Sequence, residues 1–287
     1  MCSASESDWL QCVTPTWPMG PFRAAIFDFD GTLSLFRRNW QQTMIPMMVE
    51  ILKTETDTEE TPESLSQIVE DFVMRLNGKQ TIFQMIQLCE EIKHRGGSPR
   101  DPLEYKQIYH DQLWERVRHR IAAVQSGEVP AEQMTVPGSQ RLLEELRRHD
   151  IMLYLASGTD RHYVINELKT LGLDSFFGPH VYGALDDYRR FSKAMVIQQI
   201  ISECGLAGEE IVAFGDGFVE IEETRKVGGL AVGVASDEEQ RSGINIWKRD
   251  RLIQAGAHWI VADYVHDREL VERLIRGPRD SVAIGAS

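Results

Sequence analysis

Four short segments carry residue types that could do chemistry together. The first is Asp28-Phe29-Asp30-Gly31-Thr32, at the end of an apolar run. A period of two puts Asp28 and Asp30 on the same side of an extended chain. Carboxylates that close repel, and a divalent cation would relieve the repulsion. Read alone, the pair also fits a strand-end turn. The second segment is Ser157-Gly158-Thr159, again just after an apolar run. A hydroxyl and free amides leading into a helix make an anion cradle, although the same tripeptide serves as an ordinary N-cap. The third is Lys193, one residue past the capping Ser192. A lysine in a helix's first turn opposes the macrodipole, which favours a functional cation over a solvated one. The fourth is Phe214-Gly215-Asp216-Gly217-Phe218-Val219-Glu220. Asp216 and Glu220 are four apart and share a helix face or its approach. Glu220, Glu222 and Glu223 also fit an acidic first turn that complements the dipole.

The elements that must position these residues are legible in the hydrophobic pattern. Residues 23–29 form a short, nearly continuous apolar run, as in a strand buried on both faces of a parallel sheet. Similar runs occur at 151–157, 211–215, 230–235 and 259–261, with a weaker one at 181–184. Helical patterns lie between them. Leu142, Leu143 and Leu146 line one helix; Tyr163, Val164, Leu168 and Leu171 line another. Met195, Val196, Ile200 and Ile201 line a third, capped by Ser192 and stopped by Gly205. Alternating strands and helices predict a doubly wound (Rossmann-like) α/β fold with a parallel sheet.

Residues 34 to about 135 break this alternation with helix signatures only. Thr61-Pro62 and Asp101-Pro102 read as N-cap and N1 pairs, and Gly96-Gly97 and Gly127 as helix stops. Trp114, Val117, Ile121 and Val124 share a helical face. Pro46 is expected to kink or divide the segment around 38–53, and 53–63 reads as an exposed acidic connection. An all-helical block is therefore inserted straight after the first strand. Its two crossings, expected to be flexible, make it a candidate lid.

Taken together, DxDGT, SGT, Lys and GDGxxxE, each at its place along an α/β chain, resemble the haloacid dehalogenase-like (HAD) superfamily. The resemblance covers roughly 22–34 and 136–265, with the insertion where that superfamily places a C1-type helical cap. Within it the chain resembles the phosphoglycolate phosphatase and β-phosphoglucomutase-like branch, and 221–228 is similar to the helix after the fourth motif. The implied division is a catalytic core at 22–34 and 136–276, a cap at 35–135 and flexible termini at 1–21 and 277–287. The resemblance implies a phosphatase in which Asp28 is the nucleophile that forms an aspartyl-phosphate and Asp30 the general acid and base. It implies Mg²⁺ held by Asp28, the Asp30 carbonyl and Asp216, with Glu220 as a further candidate ligand. Ser157, Gly158 and Lys193 would hold the phosphoryl oxygens, with Thr32 and Thr159 beside them. Two departures stand out: Glu220 replaces the family's usual Asp, and Lys193 lacks the proline that often follows, so Arg189 and Arg190 are rival cations. Asp30 argues against the metal-free dehalogenases of the same fold.

Substrate choice would fall to residues the cap lowers onto the site. The candidates are Arg37, Arg38 and Asn39, and the loop Asn77-Gly78-Lys79-Gln80-Thr81, with Lys79 the first choice. Arg116, Arg118, His119 and Arg120 read as surface residues, and His162 as a helix-start residue. The 287 residues carry a net charge of -13, which disfavours nucleic acid and anionic membranes as partners. No apolar run reaches a membrane span's length, and the first twenty residues lack a signal-peptide pattern. The four scattered cysteines read as reduced thiols of a cytoplasmic protein. The leading expectation is a Mg²⁺-dependent phosphatase of a small phosphorylated metabolite, a sugar phosphate or an organic acid phosphate. A phosphomutase is the alternative within the same chemistry. A non-catalytic binding or regulatory protein is the alternative outside it, and the intact acids and lysine count against that.

Overall fold

The computed structural model describes residues 9–14, 16–184 and 192–276. Seven strands form one sheet: β1 (Leu10–Cys12), β2 (Ala24–Phe27), β3 (Met152–Asp160), β4 (Val181–Ala184), β5 (Ile211–Gly215), β6 (Leu230–Val234) and β7 (Trp259–Val261). Their spatial order is β1-β7-β6-β5-β2-β3-β4. All neighbours pair in parallel except β1, which lies antiparallel on β7. The edge strand β1 has no counterpart among the sequence expectations: three residues are too few to show a period.

The central strand β2 shows why the apolar runs are continuous. Ala25 and Phe27 face one layer, with Leu142, Leu146, Leu270 and Leu274 of the helices α5 (Ser139–Arg148) and α11 (Asp267–Arg276). Ala24 and Ile26 face the other, with Val196, Ile197 and Ile200 of α8 (Lys193–Cys204). Both faces are covered, so both parities must be apolar. Phe27 stacks on Phe214 at 4.6 Å between ring centroids, across the β2–β5 junction. Each such fully buried large side chain contributes roughly 1.5–3 kcal/mol over its exposed state. The remaining core helices are α6 (Arg161–Leu171), α7 (Asp174–Phe177), α9 (Phe218–Lys226) and α10 (Ile246–Gln254).

Between β2 and α5 the chain forms the helical cap: α1 (Gln41–Glu55), α2 (Pro62–Arg75), α3 (Thr81–His94) and α4 (Pro102–Gln125). The proposed caps are in place. Thr61 accepts from the Ser64 amide, Asp101 from the Leu103 amide and Ser192 from the Met195 amide. Several expectations need correction. Pro46 lies inside α1 and does not divide it. It sits in the second turn, where its missing N–H costs one bond of the Gln42 carbonyl, and buried Met44, Met47, Met48, Ile51 and Leu52 hold the helix regardless. That helix runs to Glu55, and Glu60 is gripped by Arg95 at 2.5 Å, so the acidic connection is shorter and more engaged than expected. Met195 is half exposed, leaving the α8 core face to Val196, Ile197 and Ile200. Nor are the two crossings independent linkers. Leu35 N donates to the Met134 carbonyl at 2.8 Å and Val136 N to the Leu33 carbonyl at 3.0 Å. Arg120, expected on the surface, donates to the Phe36 and Arg38 carbonyls and braces the outgoing crossing.

Among the described residues no helix is long and apolar enough to cross a membrane. Cys89 and Cys204 are free thiols. Arg189, Arg190, residues 1–8 and 15 of the first expected terminus and the whole 277–287 tail lie outside the described residues.

Candidate active site

Register brings the four motifs to one edge. Phe27 is level with Leu155 on one side and Phe214 on the other. One or two residues further along, Asp28, Ser157 and Asp216 emerge at the carboxyl ends of adjacent parallel strands, where open α/β sheets bind ligands. They line one cavity of about 110 Å³, together with Asp30, Gly158, Thr159 and Lys193.

Asp28 is buried, and its amide donates to the Phe214 carbonyl at 2.9 Å. Its Oδ1 lies 2.9 Å from Lys193 Nζ. Burial pushes the Asp28 carboxyl up to about 7, against the pull of Lys193 and with a further push from Glu220. Burial alone would lower Lys193, but the Asp28 and Glu220 carboxylates carry it above its ordinary value. Glu220 Oε1 pairs directly with Lys193, and its Oε2 is buried with no hydrogen-bond partner. The structure thus places Glu220 as the partner of the lysine. It does not line the cavity.

Asp30 takes a 2.7 Å hydrogen bond from the Thr159 hydroxyl on Oδ2. Arg37 Nε is 3.5 Å from Oδ1. Burial raises the carboxyl to about 6 despite Arg37 and Thr159, with Asp28 and Asp216 adding to the rise. Arg37 lines the cavity as anticipated for a substrate-side cation, but it is buried and already paired, Nη2 lying 2.5 Å from Glu167 Oε1. Burial lifts Glu167 to about 7, and Arg37 opposes the lift.

Asp216 closes the group. Its amide donates to the Thr32 hydroxyl at 3.0 Å. Thr32, expected beside the phosphate, is instead fully buried and off the cavity, locking the end of β2 to the end of β5. Asp216 Oδ2 lies 2.8 Å from Lys248 Nζ, which also reaches Glu238 Oε1 at 2.6 Å. Burial still raises Asp216 to about 6. A Cβ on Gly31 would fall 2.3 Å from Asp216 Oδ2, and Gly31 has φ +74, so both space and backbone demand glycine there.

On the anion side, Ser157 is fully buried and its Oγ accepts from the Thr159 amide at 3.0 Å. Gly158 faces the cap loop: a Cβ there would meet the Lys79 carbonyl and Gln80 Cα at 3.7 Å. Lys79 lines the cavity mouth but is exposed, its ammonium 5.9 Å from the Phe83 ring centroid. Arg38 and Asn39 are not among the lining residues, whereas Asn77, Gly78 and Thr81 are. His162 is exposed in the first turn of α6, in keeping with a helix-start residue.

Five residues of this neighbourhood escaped the sequence reading: Glu167, Glu238, Lys248, and Tyr109 and His110 of α4. Lys248 carried a signal. It sits three residues past the capping Asn245, in the first turn of α10, opposing the dipole just as Lys193 does. Glu167 carried none, because only the fold brings it to Arg37.

The donor set can be tested for a divalent cation. Asp28, Asp30 and Asp216 line one cavity; Asp28 and Asp216 add to the rise of Asp30, and Asp28 adds to the rise of Asp216. Oδ1 of Asp30 is buried without a hydrogen-bond partner. Carboxylate oxygens gathered on one cavity in this way are the donor type a hard cation takes. Among the described residues no three His, Cys, Asp or Glu side chains converge as a ready all-protein cage. A cation here would lean on few carboxylates and keep waters, as Mg²⁺ does.

A mostly parallel sheet covered by helices, an inserted helical cap and acids clustered at the strand ends define a capped, doubly wound α/β class of protein. The match to a family model is direct: residues 22–228 fit the haloacid dehalogenase-like hydrolases, and the chain belongs to that family. No curated protein sequence matches. Among solved structures, a predicted phosphoglycolate phosphatase from Haemophilus somnus is 17% identical with TM-score 0.57, covering 88% of this chain and 99% of its own. A β-phosphoglucomutase from Clostridium difficile is 14% identical with TM-score 0.58, covering 89% and 97%. A phosphonoacetaldehyde hydrolase-like protein from Oleispira antarctica is 16% identical with TM-score 0.57, covering 92% and 98%. At these identities the likeness is one of fold.

Proposed function

We propose that the protein is a Mg²⁺-dependent phosphatase of a small phosphorylated metabolite, acting through an aspartyl-phosphate on Asp28. The observation that carries this reading is a buried acid and a half-buried acid with different partners on one cavity. Asp28 lies against the Lys193 ammonium, and Asp30 holds the Thr159 hydroxyl. The Lys193 ammonium favours the ionised form of Asp28 against the burial that raises it, as a nucleophile needs, and Asp30, hydrogen-bonded to a hydroxyl at the cavity, is placed to carry a proton.

In the first step an Asp28 oxygen attacks phosphorus as the bond to the ester oxygen breaks. The Asp30 carboxyl gives its proton to the departing alkoxide, which leaves as the alcohol. In the second step the Asp30 carboxylate takes a proton from water, and the resulting oxygen attacks phosphorus. Inorganic phosphate leaves and the Asp28 carboxylate is restored. Ser157, the Gly158 amide and Lys193 hold the phosphoryl oxygens throughout, so catalysis is mainly positioning and charge neutralisation. Mg²⁺, held by the Asp28 carboxylate, the Asp30 carbonyl and Asp216, would neutralise the acids and the transferring group. Glu220 keeps Lys193 charged and aligned. The cavity of about 110 Å³ is smaller than the roughly 300 Å³ and more of drug-sized ligand sites, which favours a small leaving group.

The division into a core at 22–34 and 136–276 and a cap at 35–135 belongs to this reading. The paired crossings at Leu33–Val136 and Leu35–Met134 support it. The test is phosphate release from a panel of small phosphate esters, with Mg²⁺ and with EDTA. Asp28→Asn is expected to lower release by about 1,000-fold or more. Intact release by that variant would remove Asp28 as nucleophile, and an isomeric phosphate in place of inorganic phosphate would turn the reading to a mutase.

A further inference from the structure

A side chain of the core reaches across to the cap where the sequence motifs give no hint of contact. Arg251, on α10, donates to the main-chain carbonyl oxygens of Met74, of Arg75 at 2.7 Å and of Asn77 at 3.1 Å. Met74 and Arg75 end α2, and Asn77 lies two residues beyond it. The Met74 and Arg75 carbonyls lie in the last turn, at the negative end of the helix dipole, where intrahelical donors run out, although the Met74 carbonyl also takes the Asn77 amide at 3.3 Å. A guanidinium, with five donors in a rigid fork, suits three converging acceptors better than an ammonium does. Its planar group is steadied between Phe218 and Trp247, at 4.8 and 5.3 Å from the ring centroids. Trp247 and Arg251 are four apart on α10 and so share a face, whereas Phe218 begins α9 directly after the GDG motif.

From this anchor the chain runs straight over the catalytic floor. Gly78 packs on the GDG turn so closely that a Cβ on Gly217 would fall 2.9 Å from Gly78 Cα. The Lys79 carbonyl and Gln80 Cα then lie over Gly158 of the SGT motif. Asn77, Gly78, Lys79 and Thr81 all line the cavity. The segment 77–80 is therefore pressed onto two motifs at once, and its upstream end is held by Arg251, which is itself not among the cavity's lining residues.

We propose that Arg251 is a positioning residue: it fixes the cap loop 77–80 over the phosphate end of the cavity and so sets substrate binding without touching substrate. Arg251→Ala takes the guanidinium from three carbonyls, of which the Met74 carbonyl keeps the Asn77 amide, and so loosens the upstream end of that segment. The Lys79 amide bonds the Leu76 carbonyl at 3.1 Å, and the Phe83 amide bonds the Gln80 carbonyl at 3.0 Å, so exchange of these amides reports the loop. Arg249→Ala is the control, since Arg249 pairs locally with Asp250 on the same helix.

The test is native-state hydrogen exchange on the full chain, with steady-state kinetics on the best ester of the panel. In Arg251→Ala, exchange over 76–83 is expected to quicken about tenfold or more while β2 and β5 keep wild-type exchange. KM for the ester is expected to rise several-fold with a smaller change in kcat, Arg251→Lys falling between wild type and Ala. Unchanged exchange over 76–83 would overturn the clamp. So would loosened exchange with KM and kcat both at wild type, because the loop would then not set binding. Should Arg251→Ala fail to fold, Arg251→Lys, which keeps the charge and loses the fork, decides on the same two readouts. The kinetic arm rests on the phosphatase reading. If wild-type protein hydrolyses no ester, that reading fails and the exchange arm still decides whether Arg251 holds the loop.

Discussion

Lys248 is the residue where sequence and structure part most usefully. Its side chain is buried, and its ammonium lies 2.8 Å from Asp216 Oδ2 and 2.6 Å from Glu238 Oε1. Removing one partner of a buried charge cluster leaves the others uncompensated, which costs on the order of 3–5 kcal/mol. Lys248→Met is expected to lose about 3 kcal/mol in urea unfolding, and adding Glu238→Gln should recover part of it. A double variant no more stable than the single would show that the ammonium acts through packing alone. The motif acids, Ser157 and Lys193 were legible because each stands at a strand end or helix start within a few residues of its context. Arg37 was legible as a cation near the site, but its charge is spent on Glu167, 130 positions away. Lys248 and Glu238 meet Asp216 only through the fold. Glu220 was legible as an acid of the fourth motif, and what the spacing could not tell was that Lys193 would stand against it.

Elements were read more easily than their junctions. The apolar runs became β2 to β7 because a parallel sheet covered on both faces requires them, and the capping pairs Thr61-Pro62 and Asp101-Pro102 start α2 and α4. The edge strand β1 and the continuity of α1 through Pro46 were hidden, since pairing on β7 and burial of the α1 face are tertiary effects. The return from the cap shows what a junction demands. Gly138 precedes α5 with φ +83, and a Cβ there would lie 2.2 Å from the Tyr264 carbonyl oxygen. Gly172 ends α6 with φ +69 and has nothing within 4 Å of the same position. Both alanine variants bear the left-handed cost of roughly 1–2 kcal/mol, but only Gly138→Ala adds a clash with backbone. Gly138→Ala should therefore be the less stable by about 1 kcal/mol or more in thermal or urea unfolding. Equal losses would mean that the α5 start shifts freely away from Tyr264.

At the scale of the whole molecule, the charge of -13 and the acid cluster of the cavity both make cations stabilising, but through different physics. Diffuse surface repulsion is relieved by any salt, in proportion to ionic strength. Asp28 is buried, Asp30 and Asp216 are half-buried, and desolvation raises all three, so screening reaches them less than it reaches the surface and a bound ion would relieve them directly. A ligand that binds only the folded chain stabilises by about 2.7 kcal/mol at 100 times its Kd. For a chain of this size that is a rise of about 5 °C or more in Tm. Millimolar MgCl₂ is expected to give such a rise over NaCl of the same ionic strength, and EDTA to reverse it. Asp216→Asn keeps nearly all of the global charge but loses one oxygen donor of the cluster, so it should respond to MgCl₂ and NaCl alike. If the wild-type protein also responds equally to both salts, the acids at the strand ends hold no divalent cation, and the melting curve reports only the surface.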